Sequence, residues 1–80
     1  MRAIYLEKRD IEKHQARFYR IVITPTLFGT WAMIREWGRI GSPGTVREVW
    51  FEQEAEAVDA SEKLLEQKTK RGYRQVQNGR

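Results

Sequence analysis

The sequence predicts an α+β fold: an antiparallel β-sheet of four to five strands with one long amphipathic α-helix packed on one face. Three observations lead there. Up to Phe51 the chain is built of short runs rich in aromatic and β-branched residues, separated by Pro and Gly turn signals. Beyond it the apolar period changes from two to about 3.6. Eighty residues without a cysteine suit one domain, close to the lower size limit for a core that has no disulfide or thiolate-metal staple.

The elements follow in order. Ala3–Glu7 alternates weakly, with Ile4 and Leu6 on one side, and reads as a first strand. Lys8–Arg17 is polar and charged and reads as a loop. Phe18–Thr24 is a strand that Pro25 ends, and Pro25–Gly29 turns into the next. Thr30–Ile40 and Thr45–Phe51 form a hairpin across Gly41-Ser42-Pro43-Gly44. From Gln53 to Thr69, Ala57, Val58, Ala60, Ser61, Leu64 and Leu65 make one helical stripe with the acids mostly opposite. Acids in the first turns and Lys68 and Lys70 in the last complement the helix dipole, and Gly72 suits a left-handed stop. Tyr73–Val76 adds a short final strand. The expected domain is residues 1–76, with a frayed tail at 77–80.

Charge is unevenly placed. Residues 52–66 hold six acids and one base, a net of −5; the remainder holds 14 bases against five acids, a net of +9, which together give the chain's +4. Ten of the 15 bases are arginine, the residue suited to phosphate forks and stacking. An acidic helix on an otherwise cationic protein favours a polyanion on the face away from that helix. No apolar run approaches the ~18 residues of a membrane span and no signal-like apolar region follows Met1, so a cytoplasmic protein with no membrane partner is expected.

The most informative residues are Trp37-Gly38-Arg39. A strand places residues 37 and 39 on one face, beside Trp31, Met33 and Arg35, while Ala32, Ile34, Gly38 and Ile40 take the other. The small and aliphatic set is expected to face the helix. The aromatic and cationic set is then expected to line the open face. An indole beside a guanidinium suits a nucleotide, whose ring can stack while its phosphate is paired. Glu36, in the inner set, needs a basic partner. Arg47 on the neighbouring strand and Lys70, Arg71, Tyr73 and Arg74 after the helix could extend the patch. Trp31 and Trp50 are expected in the core.

Little points to catalysis. His14 stands alone in a charged segment, no second metal ligand lies at a recognised spacing, and no serine or threonine has a base beside it in sequence. The helix carboxylates are a solvated face. Gly41–Gly44 lacks the Lys-Ser/Thr ending of a phosphate-binding loop. No cofactor and no metal are expected.

Phe18-Tyr19, Trp31, Trp37-Gly38-Arg39-Ile40-Gly41, the Ala/Leu-rich helix and Lys68-Thr69 leading to Gly72-Tyr73 together resemble a WGR domain, over about residues 3–76. That family is best known as a module of poly(ADP-ribose) polymerases and also occurs in bacterial proteins. The resemblance implies a β-sheet with one helix against it. It also implies DNA binding at strand breaks, where the motif tryptophan stacks on the terminal nucleotide and basic and polar groups hold the 5′ phosphate. On this chain Trp37 would be the stacking platform, Arg39 the charge or relay, and Tyr73 a support for the phosphate site. Many members carry Asn shortly before Phe-Tyr; here Ala16-Arg17 precede Phe18, so one polar contact is expected to be missing. The expected function is therefore a non-catalytic module that binds DNA, with a preference for ends or nicks bearing a 5′ phosphate. The alternative is a protein-interaction adaptor that uses the same Trp/Arg face for an acidic or aromatic partner.

Overall fold

The structure is a computed structural model and describes residues 2–76; the expected tail at 77–80 lies outside the described residues. Five strands, β1 (Arg2–Asp10), β2 (Gln15–Pro25), β3 (Trp31–Arg39), β4 (Thr45–Phe51) and β5 (Arg74–Gln75), form one antiparallel sheet in the order β4-β3-β2-β1-β5. The helix α1 (Glu54–Lys70) packs against one face. The α+β architecture is as the sequence predicts.

The segment Lys8–Arg17 is not a loop. β1 runs on to Asp10 and β2 begins at Gln15, with Lys8 paired to Arg17 and Asp10 to Gln15. Only Ile11–His14 turns. Asp10 Oδ1 accepts the Lys13 N–H at 3.3 Å, Ile11 O accepts the His14 N–H at 3.2 Å, and His14 takes a left-handed φ of 54°. The ribbon extends past the core, where both faces meet water. No hydrophobic alternation marks it there, and ladder hydrogen bonds sustain the strands.

The helix begins with the Gln53 N–H donating to the Glu56 side chain at 3.1 Å. Its Ala57 and Ser61 are buried, and Val58, Ala60, Leu64 and Leu65 pack beside them. It ends in a Schellman motif: the Gly72 N–H donates to Thr69 O and the Tyr73 N–H to Lys68 O, both at 3.1 Å, with Gly72 at φ 99°. The motif turns Tyr73 back toward the sheet.

The parity of β3 is as expected but its orientation is reversed. The core beneath the helix contains Leu6, Tyr19, Ile21, Ile23, Met33 and Ala57, with Ile4, Trp31, Trp37, Phe51 and Tyr73 packed against it. Trp31, Met33, Arg35, Trp37 and Arg39 therefore share the helix face. Ala32, Ile34 and Gly38 lie on the bare face. The reason is β2: Tyr19, Ile21 and Ile23 are its large apolar set and stand opposite Trp37, Arg35 and Met33, so burying one set carries the other under the helix. Trp31 packs against the core, half-buried. Trp50, also expected in the core, does not; it is 50% exposed on the bare face, against Phe28.

Candidate nucleic-acid interface

Trp37 sits on the helix face, half-buried, and with Tyr73, which follows the C-terminal end of α1, forms the wall of a cavity of about 280 Å³ also lined by Gln15, Ala16, Arg17, Gly38 and Arg39. The open-face placement of the indole is thus corrected, while its company of arginines holds.

Three layers of side chains build the site, and strand register sets each. The central layer is aromatic. Leu6, Tyr19 and Trp37 are opposite one another across β1, β2 and β3, with the Tyr19 and Trp37 rings stacked at 5.6 Å and 10°. Tyr73 meets Tyr19 edge-on at 6.1 Å. Two residues further out lies a row of cations: Lys8 opposite Arg17, and Arg17 opposite Arg39. Lys8 Nζ is 5.9 Å from the Tyr73 ring centre. Two residues inward, Arg35 is opposite Arg47. The Arg35 guanidinium lies 5.5 Å over the Trp37 ring and touches Tyr19 Oη at 3.5 Å, while its Nε is buried with no hydrogen-bond partner among the described residues. Lys68 Nζ stands 4.7 Å over the Tyr19 ring. Burial, then the charges of Arg71 and Arg35, push the Lys68 pKa below the usual lysine value.

None of Lys8, Arg17, Arg35, Arg39, Arg47, Lys68 or Arg71 belongs to an ion pair among the described residues. Like charges directly opposite in a sheet are destabilising. Here three such pairs occur on one face. The arrangement offers aromatic rims for a ring and cations for anionic groups on both sides of it.

The other expected site residues divide. Lys70 is exposed and paired to Glu66 at 3.8 Å along the helix. Arg74 is opposite Glu7, which puts it on the bare face, away from Trp37. Gly38 turns its missing side chain to the bare face, where Gly44 crosses: a Cβ on Gly38 would lie 3.1 Å from Gly44 Cα, and one on Gly44 2.7 Å from Trp37 O. The chain's own return loop thus packs directly on this glycine. Glu36 finds its partner in Arg20, opposite it on β2, at 3.7 Å. His14 is exposed in its turn.

Lys8, Gln15, Arg17 and Lys68 were not legible as site residues. Reading Lys8–Arg17 as a loop concealed the first three, although the extra charges flanking Phe18-Tyr19 were a usable signal. The position expected to lack a polar contact is filled by Arg17, which lines the cavity.

A small antiparallel sheet with a single helix, bearing an aromatic and cationic cleft at that helix's C-terminal end, defines a compact binding module. The chain belongs to the WGR-domain family, whose match covers residues 2–80; the WGR domain is in general a nucleic-acid-binding type of module. The chain is also similar to an uncharacterized protein, y4dW, of Sinorhizobium fredii, with 45% identity over 71 residues. That match covers 89% of this chain and 35% of the relative, so the chain spans about a third of the relative's length. No solved structure matches it significantly. No catalytic family is indicated, and no helix among the described residues is long and apolar enough to cross a membrane.

Proposed function

We propose that this protein is a non-catalytic, cofactor-free cytoplasmic module that binds DNA and favours ends or nicks carrying a 5′ phosphate. The observation that carries the reading is the Lys8–Arg17–Arg39 row: three cations brought opposite one another without a carboxylate, at the lip of a cavity walled by Trp37 and Tyr73. A bound phosphate relieves the repulsion in the row, and a sugar or base covers the aromatic rims. The cavity is local rather than a long groove, which suits a strand terminus. Helix α1 is acidic over most of its length, so it does not serve as a major-groove reader, and sequence preference should be weak.

The test is a fluorescence titration with intact duplex, nicked duplex and duplex with a 5′-phosphorylated end, at low and high salt. Affinity should fall with salt in proportion to the few phosphates held. Trp37→Ala should cost about 1–3 kcal/mol, the usual worth of a base–aromatic stack, and Arg39→Ala should reduce both affinity and salt slope. Equal binding at the two salt concentrations would exclude the mechanism. The alternative is a protein-interaction adaptor that uses the same Trp/Arg face; a separate exposed apolar pair, Phe28 (79% exposed) against Trp50, lies on the bare face. The adaptor reading prevails if Trp37→Ala and Arg39→Ala leave DNA affinity unmoved.

A further inference from the structure

The cations on the helix face fall into two groups separated by the aromatic layer. The outer group is Lys8, Arg17 and Arg39. The inner group joins Arg35 of β3, Arg47 of β4, and Lys68 and Arg71 at the end of α1. Helix-end capping accounts for a lysine in the last turn. It does not account for an arginine opposite an arginine on the sheet below, nor for Arg35 and Lys68 both converging on Tyr19, at its hydroxyl (3.5 Å) and over its ring (4.7 Å). The inner group has no carboxylate within ion-pair distance among the described residues. Among the described residues, Arg35 has that one long contact to Tyr19 as its hydrogen bond, and its Nε has none. Leaving the Arg35 Nε buried without a partner is costly unless an anion completes the site.

We propose that Arg35, Lys68 and Arg71, backed by Arg47, form a second anion subsite that takes an internal phosphodiester of the same strand whose terminal phosphate sits at the Lys8–Arg17–Arg39 row. The inference rests on the nucleic-acid reading above and specifies the ligand further. From Arg39 to Arg35 is four residues along β3, about 13 Å at the usual strand rise. That is several times the roughly 3.4 Å axial rise per nucleotide of one strand. A mononucleotide cannot reach both subsites. A strand of several nucleotides can, with the half-buried Trp37 between its two held phosphates. The ligand class is thus an oligonucleotide end rather than a free nucleotide.

Two probes separate the subsites: a 5′-phosphorylated mononucleotide and a 5′-phosphorylated single-stranded oligonucleotide of about ten residues, within the length range such sites cover. For the oligonucleotide, the Lys68→Gln/Arg71→Gln variant should show a salt slope shallower by about 0.7 for each phosphate it no longer holds. Its affinity for the mononucleotide should fall by a smaller factor than its affinity for the oligonucleotide. Lys68→Arg should retain the wild-type slope, which a purely packing role of the lysine stem on Tyr19 would not require. Arg71 is exposed, so Arg71→Gln alone supplies the test if the double variant melts early. An unchanged slope in variants that still bind the oligonucleotide overturns the second subsite and leaves the first intact. Failure of the wild type to bind either probe overturns both.

Discussion

The two faces of the sheet carry similar numbers of charged side chains and treat them in opposite ways. On the bare face Arg9 pairs with Glu7 at 3.1 Å and Arg20 with Glu36 at 3.7 Å; Tyr5 donates to Glu7, Trp50 donates to Glu48, and the Arg20 guanidinium lies over the Tyr5 ring. On the helix face Lys8, Arg17, Arg35, Arg39 and Arg47 stand opposite one another with no ion pair among the described residues. Exposed ion pairs contribute little, so the paired face does not explain the fold's stability. The unpaired face is the informative one. A sheet that can place carboxylates opposite guanidinia on one side has not done so on the other, and the retained repulsion marks where an external anion is expected.

The sharpest way to break the contrast is to disturb the crossing that holds Trp37-Gly38-Arg39 in register. A Cβ on Gly44 would lie 2.7 Å from Trp37 O and 2.8 Å from the Phe18 ring. Gly44→Ala should therefore destabilise by about 1–3 kcal/mol, as overpacking does, which lowers the melting temperature by about 4–8 °C per kcal/mol in a domain this size. Calorimetry checks it. An unchanged midpoint would mean that the return loop, not the β3 strand, gives way.

Gly72→Ala should cost about 1–2 kcal/mol, because φ 99° is strained for a residue with a side chain and the new methyl also meets the Lys8 stem at 3.4 Å. This substitution acts on the unpaired face, since the Schellman motif aims Tyr73 at the cleft. Nucleic-acid affinity should fall more than the stability loss alone explains; urea midpoints and binding titrations of the same sample test the two together.

The third test reads the contrast directly. Arg39→Gln removes one member of a repulsive pair and should leave stability unchanged or raise it by about 0.2–1 kcal/mol, while weakening DNA binding. Arg20→Gln removes one member of an attractive pair and should lower stability by about the same small amount with binding intact. Equal signs for the two stability changes would show that the faces do not differ electrostatically.

The element order was legible because local signals were strong: the β-branched run in β2, the Pro25 stop, the hairpin glycines and the helical stripe from Ala57 to Leu65. The company of Trp37 and Arg39 was legible because strand parity is local. Which face the helix would cover was not. Ile34 and Ala32 looked like the apolar side of β3, yet Tyr19, Ile21 and Ile23 on β2 decide the matter through pairing, a long-range constraint that no single strand displays. Arg17 and Lys8 were missed for the converse reason, since a ribbon wet on both faces lacks alternation.

The smallest effect lies in the alkaline limb, where the two faces should move stability in opposite directions. Burial, the hydrogen bond to Glu7 and that carboxylate's charge raise the Tyr5 pKa above its usual 10.0, against the opposing pull of Arg20 and Arg9. The folded state thus holds the phenol's proton more tightly than the unfolded chain does. That contribution is fully present below pH 10.0 and is lost as pH rises through the higher folded value. Lys68 behaves the other way. Its folded pKa lies below 10.5, so the folded state releases the proton first, and stability grows as pH climbs from the folded value toward 10.5. Tyr5→Phe should remove the loss and leave the gain, giving a flatter or rising urea midpoint above pH 10.0. Lys68→Gln should do the reverse and steepen the decline. If both variants follow the wild-type curve, the tyrosine on the paired face and the lysine over the aromatic layer are as freely solvated as in the unfolded chain, and the contrast between the faces does not extend to their titration.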